Sequence, residues 1–144
     1  MNNIVFSKKS DNWSTPDFIY NKYMKIGYFD PCPLNSKKDG LLIDWKQNNY
    51  VNPPYSKIKE FVSKSILEHK LGKNVTLLIP ARTDTRYFKD IVDYGANITF
   101  IIGRLKFGNS NTSAPFPSCI IKLTGECTKC VWKTREELIY EYRL

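Results

Sequence analysis

Apolar positions along this chain recur with two different periods, and the changes of period mark its elements. Phe18, Ile19, Tyr23 and Met24 recur at helical spacing behind Ser14-Thr15-Pro16-Asp17. There a hydroxyl cap, a proline at the first helical position and an acid in the first turn predict a helix start, and Gly27 closes the helix. Tyr28-Phe29 reads as a strand end, stopped by Pro31 and Pro33. Leu41-Leu42-Ile43 and Tyr50-Val51 read as two further short strands. Ile58, Phe61, Val62, Ile66 and Leu67 predict a second helix running to Gly72, and Tyr87, Phe88, Ile91 and Val92 a third between Thr85 and Gly95. Residues 75–79 and 98–102 are near-continuous apolar runs, the pattern of strands buried on both faces.

Strand, helix, strand, helix, strand over residues 50–102 predicts parallel pairing in an α/β sheet. Residues 103–117, rich in Gly, Ser, Asn and Pro with few apolar anchors, read as a surface loop. Residues 119–123 then read as a last strand, antiparallel because no long helix precedes it. Leu138, Ile139 and Tyr142 predict a terminal helix within 134–144. With 144 residues and no repeat or linker, the expectation is one domain, 1–144.

Composition narrows the partner. Hydrophobic residues at 42% and charged ones at 25% are ordinary for a globular chain, no apolar run reaches membrane-spanning length, and the start, MNNIVFSKKSDNW, lacks a signal-peptide core. The expectation is a soluble cytoplasmic protein. Twenty-two Lys and Arg against 14 acids leave a net charge of +8, which points to a polyanion, nucleic acid being the commonest. The cations are interleaved with eight Phe, nine Tyr and three Trp, as suits a folded surface able to stack bases. Cys127-Thr-Lys-Cys130 has the spacing of half a zinc site, but no second close pair completes it, so a plain turn and no metal are expected there.

The chemistry concentrates at Asn49-Tyr50-Val51-Asn52-Pro53-Pro54-Tyr55-Ser56-Lys57-Ile58, where a double proline joins a strand to a helix. In an open α/β sheet, ligands bind outside the carboxyl ends of strands. At about 5% Pro usage, an adjacent pair arises at roughly one position in four hundred. Each proline fixes φ and lacks an N–H, so carbonyl oxygens can face a cavity without an internal donor competing for them. Asn52 adds an amide oxygen and Tyr55 a flat ring. Two acceptors and a stacking ring describe a pocket for a planar group with an exocyclic NH2. Accepting from both N–H groups favours the pyramidal nitrogen whose lone pair is free to attack, as transfer of a methyl cation requires.

These patches resemble the adenine-amino DNA methyltransferases, most closely the compact phage-type family often called Dam. The resemblance runs through Trp13-Ser14-Thr15-Pro16, Asp30-Pro31-Cys32, Asp39-Gly40-Leu41 with Asp44-Trp45, and Asn52-Pro53-Pro54-Tyr55-Ser56. It continues through residues 78–85, 103–107 and 114–118. It implies a compact Rossmann-like methyltransferase sheet, S-adenosylmethionine as donor, a flipped DNA adenine as acceptor, and a phage or mobile-element origin. Carried over, Asn52 and the carbonyl of Pro53, held by Pro54, bind the adenine amine, and Tyr55 stacks on the base. Thr15 and Pro16 match the segment near the cofactor's methionine end, Asp30 the acid ending the first strand, and Asp44 a second cofactor contact. The chain departs from the pattern in having no glycine-rich turn after the first strand. The short span from Asp30 to Asp44 is expected to abbreviate the sheet's first half and the adenosine side of the pocket.

Arg82, Arg86, Arg104 and Lys106 follow strand ends on the expected active side and form a candidate phosphate-binding group. With no separate target-recognition domain, sequence reading falls to loops such as 103–117 or to a second subunit, so monomer and homodimer both stand. Two alternatives share these features. One is the same transfer to RNA or to a glutamine amide; the other is a nucleic-acid-binding module of methyltransferase descent with no catalysis.

Overall fold

The structure, a computed structural model, describes residues 14–34, 36–106 and 113–143. Trp13, Phe107 and the middle of the 103–117 loop lie outside the described residues. Along β2 (Asn74–Pro80), six residues in a row are buried, with Val75, Leu77 and Ile79 in one hydrophobic cluster and Leu78 in the other. A strand buried on both faces needs a layer on each side. One is formed by α2 (Ile58–Lys70) and α3 (Arg86–Tyr94), the other by α1 (Asp17–Lys25) and α4 (Arg135–Arg143).

The remaining strands are β1 (Asn48–Val51), β3 (Ala96–Ile102), β4 (Ser118–Leu123) and β5 (Lys129–Thr134), in the spatial order β1-β2-β4-β3-β5. β1 pairs parallel with β2, and β3 parallel with β5; β4 lies antiparallel between β2 and β3. Four strands therefore run one way and one against them, giving a mixed α/β sheet compatible with a compact Rossmann-like methyltransferase fold. The antiparallel direction expected for residues 119–123 is found.

Their place differs from the expectation: β4 separates β2 from β3, and β5 follows it. Cys130, expected in a turn, lies in β5. That strand is exposed over four of its six positions and carries no buried stripe. Its anchors are the ladder to β3 and the stacking of Trp132 on Phe100, 5.0 Å between centroids.

Other departures have local causes. Tyr28-Phe29 forms a single parallel bridge, Phe29 to Asn49, because the prolines follow at once. Leu41-Leu42-Ile43 is a turn, not a strand, with Leu42 fully turned outward. Leu67 and Val92 face solvent rather than the core. The 103–117 segment has more anchors than expected: Leu105, Ala114 and Phe116 are buried, and the Ala114 N–H donates to the Leu105 carbonyl at 2.7 Å.

Two glycines are dictated by close approach. At Gly95, φ is +113° and a Cβ would sit 1.8 Å from the Glu126 carbonyl oxygen. At Gly40 a Cβ would sit 2.2 Å from the Pro31 carbonyl oxygen, so only glycine lets the 31–40 loop fold back on itself. Trp45 holds that loop down: buried and stacked on Phe61, it donates its indole N–H to the Gly40 carbonyl at 2.8 Å.

Candidate active site

Phe29 and β1 run side by side and parallel, so Asp30 and Asn52 leave the same edge of the sheet on adjacent strands. A cleft of about 580 Å³ opens there, within the size of small-molecule sites. Asp30, Cys32, Asn52, Pro53 and Pro54 all line it, so the double-proline corner and the carboxylate share one hollow. Thr15 and Gly40 contribute to its walls, and Pro33, Leu34, Ser36 and Asp39 close one side.

The corner is made rigid by its own sequence. Pro54 sits at φ −57°, ψ 138°, and its carbonyl accepts from the Lys57 N–H at 3.0 Å, which starts a 3-10 turn over Tyr55–Lys57 leading into α2. The Asn52 carbonyl accepts from the Cys32 thiol at 3.3 Å, and the Asn52 Nδ2 donates to Thr15 Oγ1 at 3.0 Å. Thr15 is thus committed to the corner and does not cap α1. Pro16 occupies the cap position instead, buried, with its carbonyl accepting from the Ile19 and Tyr20 N–H groups. Pro16 does not line the cleft.

Asp30 is the electrostatic centre. Burial raises its carboxyl to about 6, and the Cys32 N–H, donating to Oδ1 at 3.0 Å, only partly offsets this. A carboxylate denied water beside an open cleft is suited to a cation. Burial also pushes up the Cys32 thiol, with the Asp30 charge acting in the same direction, so Cys32 serves as a donor and not as a thiolate.

Tyr55 does not line this cleft. It packs edge to face on Phe116, with centroids 4.9 Å apart, so one anchor of the 103–117 segment orients it. Burial raises its phenol and the nearby Arg82 charge pulls the other way, which places Arg82 within electrostatic reach of the ring. Asp44 is exposed and outside the cleft; Asp39 lines it instead. Arg82, Arg86, Arg104 and Lys106 are all exposed, around the carboxyl ends of β2 and β3, on the same sheet edge as the corner.

Cys32 and Gly40 are site residues to which residue type alone assigns no role. Each acts through a backbone carbonyl, and that contact leaves no mark in the sequence. Among the described residues no three His, Cys, Asp or Glu side chains are grouped as metal ligands would be. No described helix is long and apolar enough to cross a membrane.

The family model described as DNA N-6-adenine-methyltransferase (Dam) matches residues 3–120, a span that includes the whole cleft and ends within β4. No curated protein and no solved structure matches the chain.

Proposed function

Given that the chain belongs to the DNA N-6-adenine-methyltransferase (Dam) family, we propose that it methylates the exocyclic amine of a DNA adenine turned out of the stack, with S-adenosylmethionine as donor. One observation carries this reading above the others: Asn52 with the double proline that follows it and the desolvated Asp30 carboxylate line a single cleft.

The residues present fit the cofactor. Asp30 offers a carboxylate raised by burial, and a cationic ligand would relieve the cost of ionising it. Gly40, where a Cβ has no room, keeps the loop wall folded back against Pro31. The wall of Pro33, Leu34, Ser36 and Asp39, which belong to no helix or strand, would take the cofactor's adenosine side. When bound, S-adenosylmethionine supplies an electrophilic methyl group on sulfonium.

The chain's own part is to hold the acceptor. The Asn52 side-chain oxygen and the Pro53 carbonyl accept from the two amine hydrogens, which directs the nitrogen lone pair toward the methyl donor. The corner's stiffness means these acceptors need no reorganisation at the moment of reaction. No strong base is required beforehand, since the surplus proton leaves after the nitrogen has gained its methyl group. Tyr55 stacks on the extruded base, and Arg82, Arg86, Arg104 and Lys106 hold phosphates along the same edge. Extrusion is needed because a stacked base keeps its amine out of reach of the cleft.

The test is mutational. Asn52→Ala and Tyr55→Ala should each abolish methyl transfer to DNA while circular dichroism remains that of the folded protein, with a lowered melting temperature in Tyr55→Ala, whose ring packs on Phe116. Full activity in the double variant would refute the assignment. Calorimetric titration with S-adenosylmethionine separates enzyme from binding module: heat of binding supports the enzyme, and salt-sensitive DNA binding without cofactor binding supports the module.

A further inference from the structure

A carboxamide can present either edge to a ligand. Its oxygen and nitrogen are nearly the same size, so rotating Asn52 by half a turn would replace an acceptor with a donor. A donor facing an amine's hydrogens repels them. The proposed reaction therefore depends on something that fixes the rotation.

The structure shows what holds it. Tyr50 and Asn52 are two residues apart at the end of β1 and so share a side of the strand. Thr15 bridges them: its Oγ1 lies 3.0 Å from the Asn52 Nδ2 and 3.2 Å from the Tyr50 hydroxyl. Either hydroxyl of the Thr15–Tyr50 pair can donate; the arrangement that fixes the amide is the one in which Thr15 accepts from the Asn52 nitrogen and gives its own proton to the phenol oxygen. Tyr50 is a fixed partner: it has no exposed surface, burial raises its phenol well above the usual range, and its ring stacks on Tyr23 at 4.8 Å. Tyr23 is in turn placed by α4, through hydroxyl contact with Tyr142 at 3.3 Å. A threonine at the start of a helix ordinarily caps it. Here the helix is left without a side-chain cap, and the hydroxyl is turned to the amide.

We infer that Thr15 is a positioning residue for methyl transfer: it commits the Asn52 nitrogen, so that the amide oxygen is the edge presented to the adenine amine. The inference rests on the reading of Asn52 given above and reassigns Thr15 from cofactor contact to orientation of the acceptor group.

The experiment compares Thr15→Val, which keeps shape and removes the hydroxyl, with Thr15→Ser, which keeps the hydroxyl. Thr15→Val should lower kcat for DNA methylation by roughly 10- to 100-fold, short of the roughly 10²–10³-fold typical of deleting a preorganised group outright. The calorimetric Kd for S-adenosylmethionine should stay within about twofold, because cofactor binding does not depend on the amide edge, and the KM for DNA should change far less than kcat, because phosphate contacts carry most of DNA binding. Thr15→Ser should recover kcat to within about threefold.

Wild-type kcat in Thr15→Val overturns the inference. So does a loss confined to S-adenosylmethionine binding, which would make Thr15 a cofactor contact, and so does equal impairment of the valine and serine variants. If Thr15→Val does not fold, Thr15→Ala must show the same kcat-only loss. Asn52→Ala is the control that separates the two levels: if it retains activity, the reading of Asn52 fails, and if it is dead while Thr15→Val is fully active, only the role of Thr15 fails.

Discussion

Replacing Asp30 by Asn should make the protein more stable and less able to bind its cofactor. The carboxyl is held at about 6 against an ordinary value of 3.8, chiefly by loss of water around it. At about 1.4 kcal/mol per tenfold change in proton affinity, ionising this group costs the fold at most about 3 kcal/mol at neutral pH. The folded state binds the proton more tightly than the unfolded chain, so the penalty is absent below pH 3.8 and complete once pH has risen through 6. Asparagine removes the charge and keeps an oxygen for the Cys32 N–H. Urea denaturation of Asp30→Asn at pH 7.5 should show a gain approaching about 3 kcal/mol, or roughly 10 °C in melting temperature, that shrinks to about a third at pH 4.5. Calorimetry should show S-adenosylmethionine binding to the unchanged protein weakening below pH 6, and weak, pH-independent binding to the variant. A variant less stable than the parent at pH 7.5, or one that binds cofactor equally well, would show that the Asp30 charge neither burdens the fold nor holds the cofactor.

Other expectations can be checked in parallel. Gly40→Ala forces a Cβ into the Pro31 carbonyl and should destabilise the fold by roughly 1–3 kcal/mol in urea titrations, weakening cofactor binding as the cleft wall shifts; an unperturbed variant would show that the close approach is dispensable. Neutralising Arg82, Arg86, Arg104 and Lys106 together should flatten the log–log salt dependence of DNA binding by about one for each phosphate no longer held, whereas an unchanged slope would remove them from the interface.

How much of the fold is legible in the sequence follows from the range of the interactions involved. The α3 start is legible because Thr85 accepts from the Phe88 N–H three residues on, and β2 because burial on both faces writes an apolar run; β3 is legible as a strand, but the burial expected of it on both faces is only partial, with Ile102 exposed. The position of β4 between β2 and β3 is not legible, since strand order is decided by pairing across forty residues, such as Ile79 with Cys119. β5 has almost no buried face to leave a periodic signal. At the site, the prolines and Asn52 stand out by residue type. The contacts that fix them do not: Thr15 reads as a helix cap, or through the family pattern as a cofactor neighbour, and what Thr15, Cys32 and Gly40 each touch is set by parts of the chain remote in sequence. Asp44, chosen for its place in the family pattern, faces solvent, while its neighbour Trp45 does the packing.

If this corner presents acceptors to an adenine amine facing a methyl donor, the product is N6-methyladenine. Mass-spectrometric nucleoside analysis of adenine-containing DNA, incubated with the protein and isotope-labelled S-adenosylmethionine, detects that product. Labelled N6-methyladenine should form with the unchanged protein and be absent with Asn52→Ala. DNA that stays unlabelled while the protein demonstrably binds both DNA and cofactor would contradict that role of the corner.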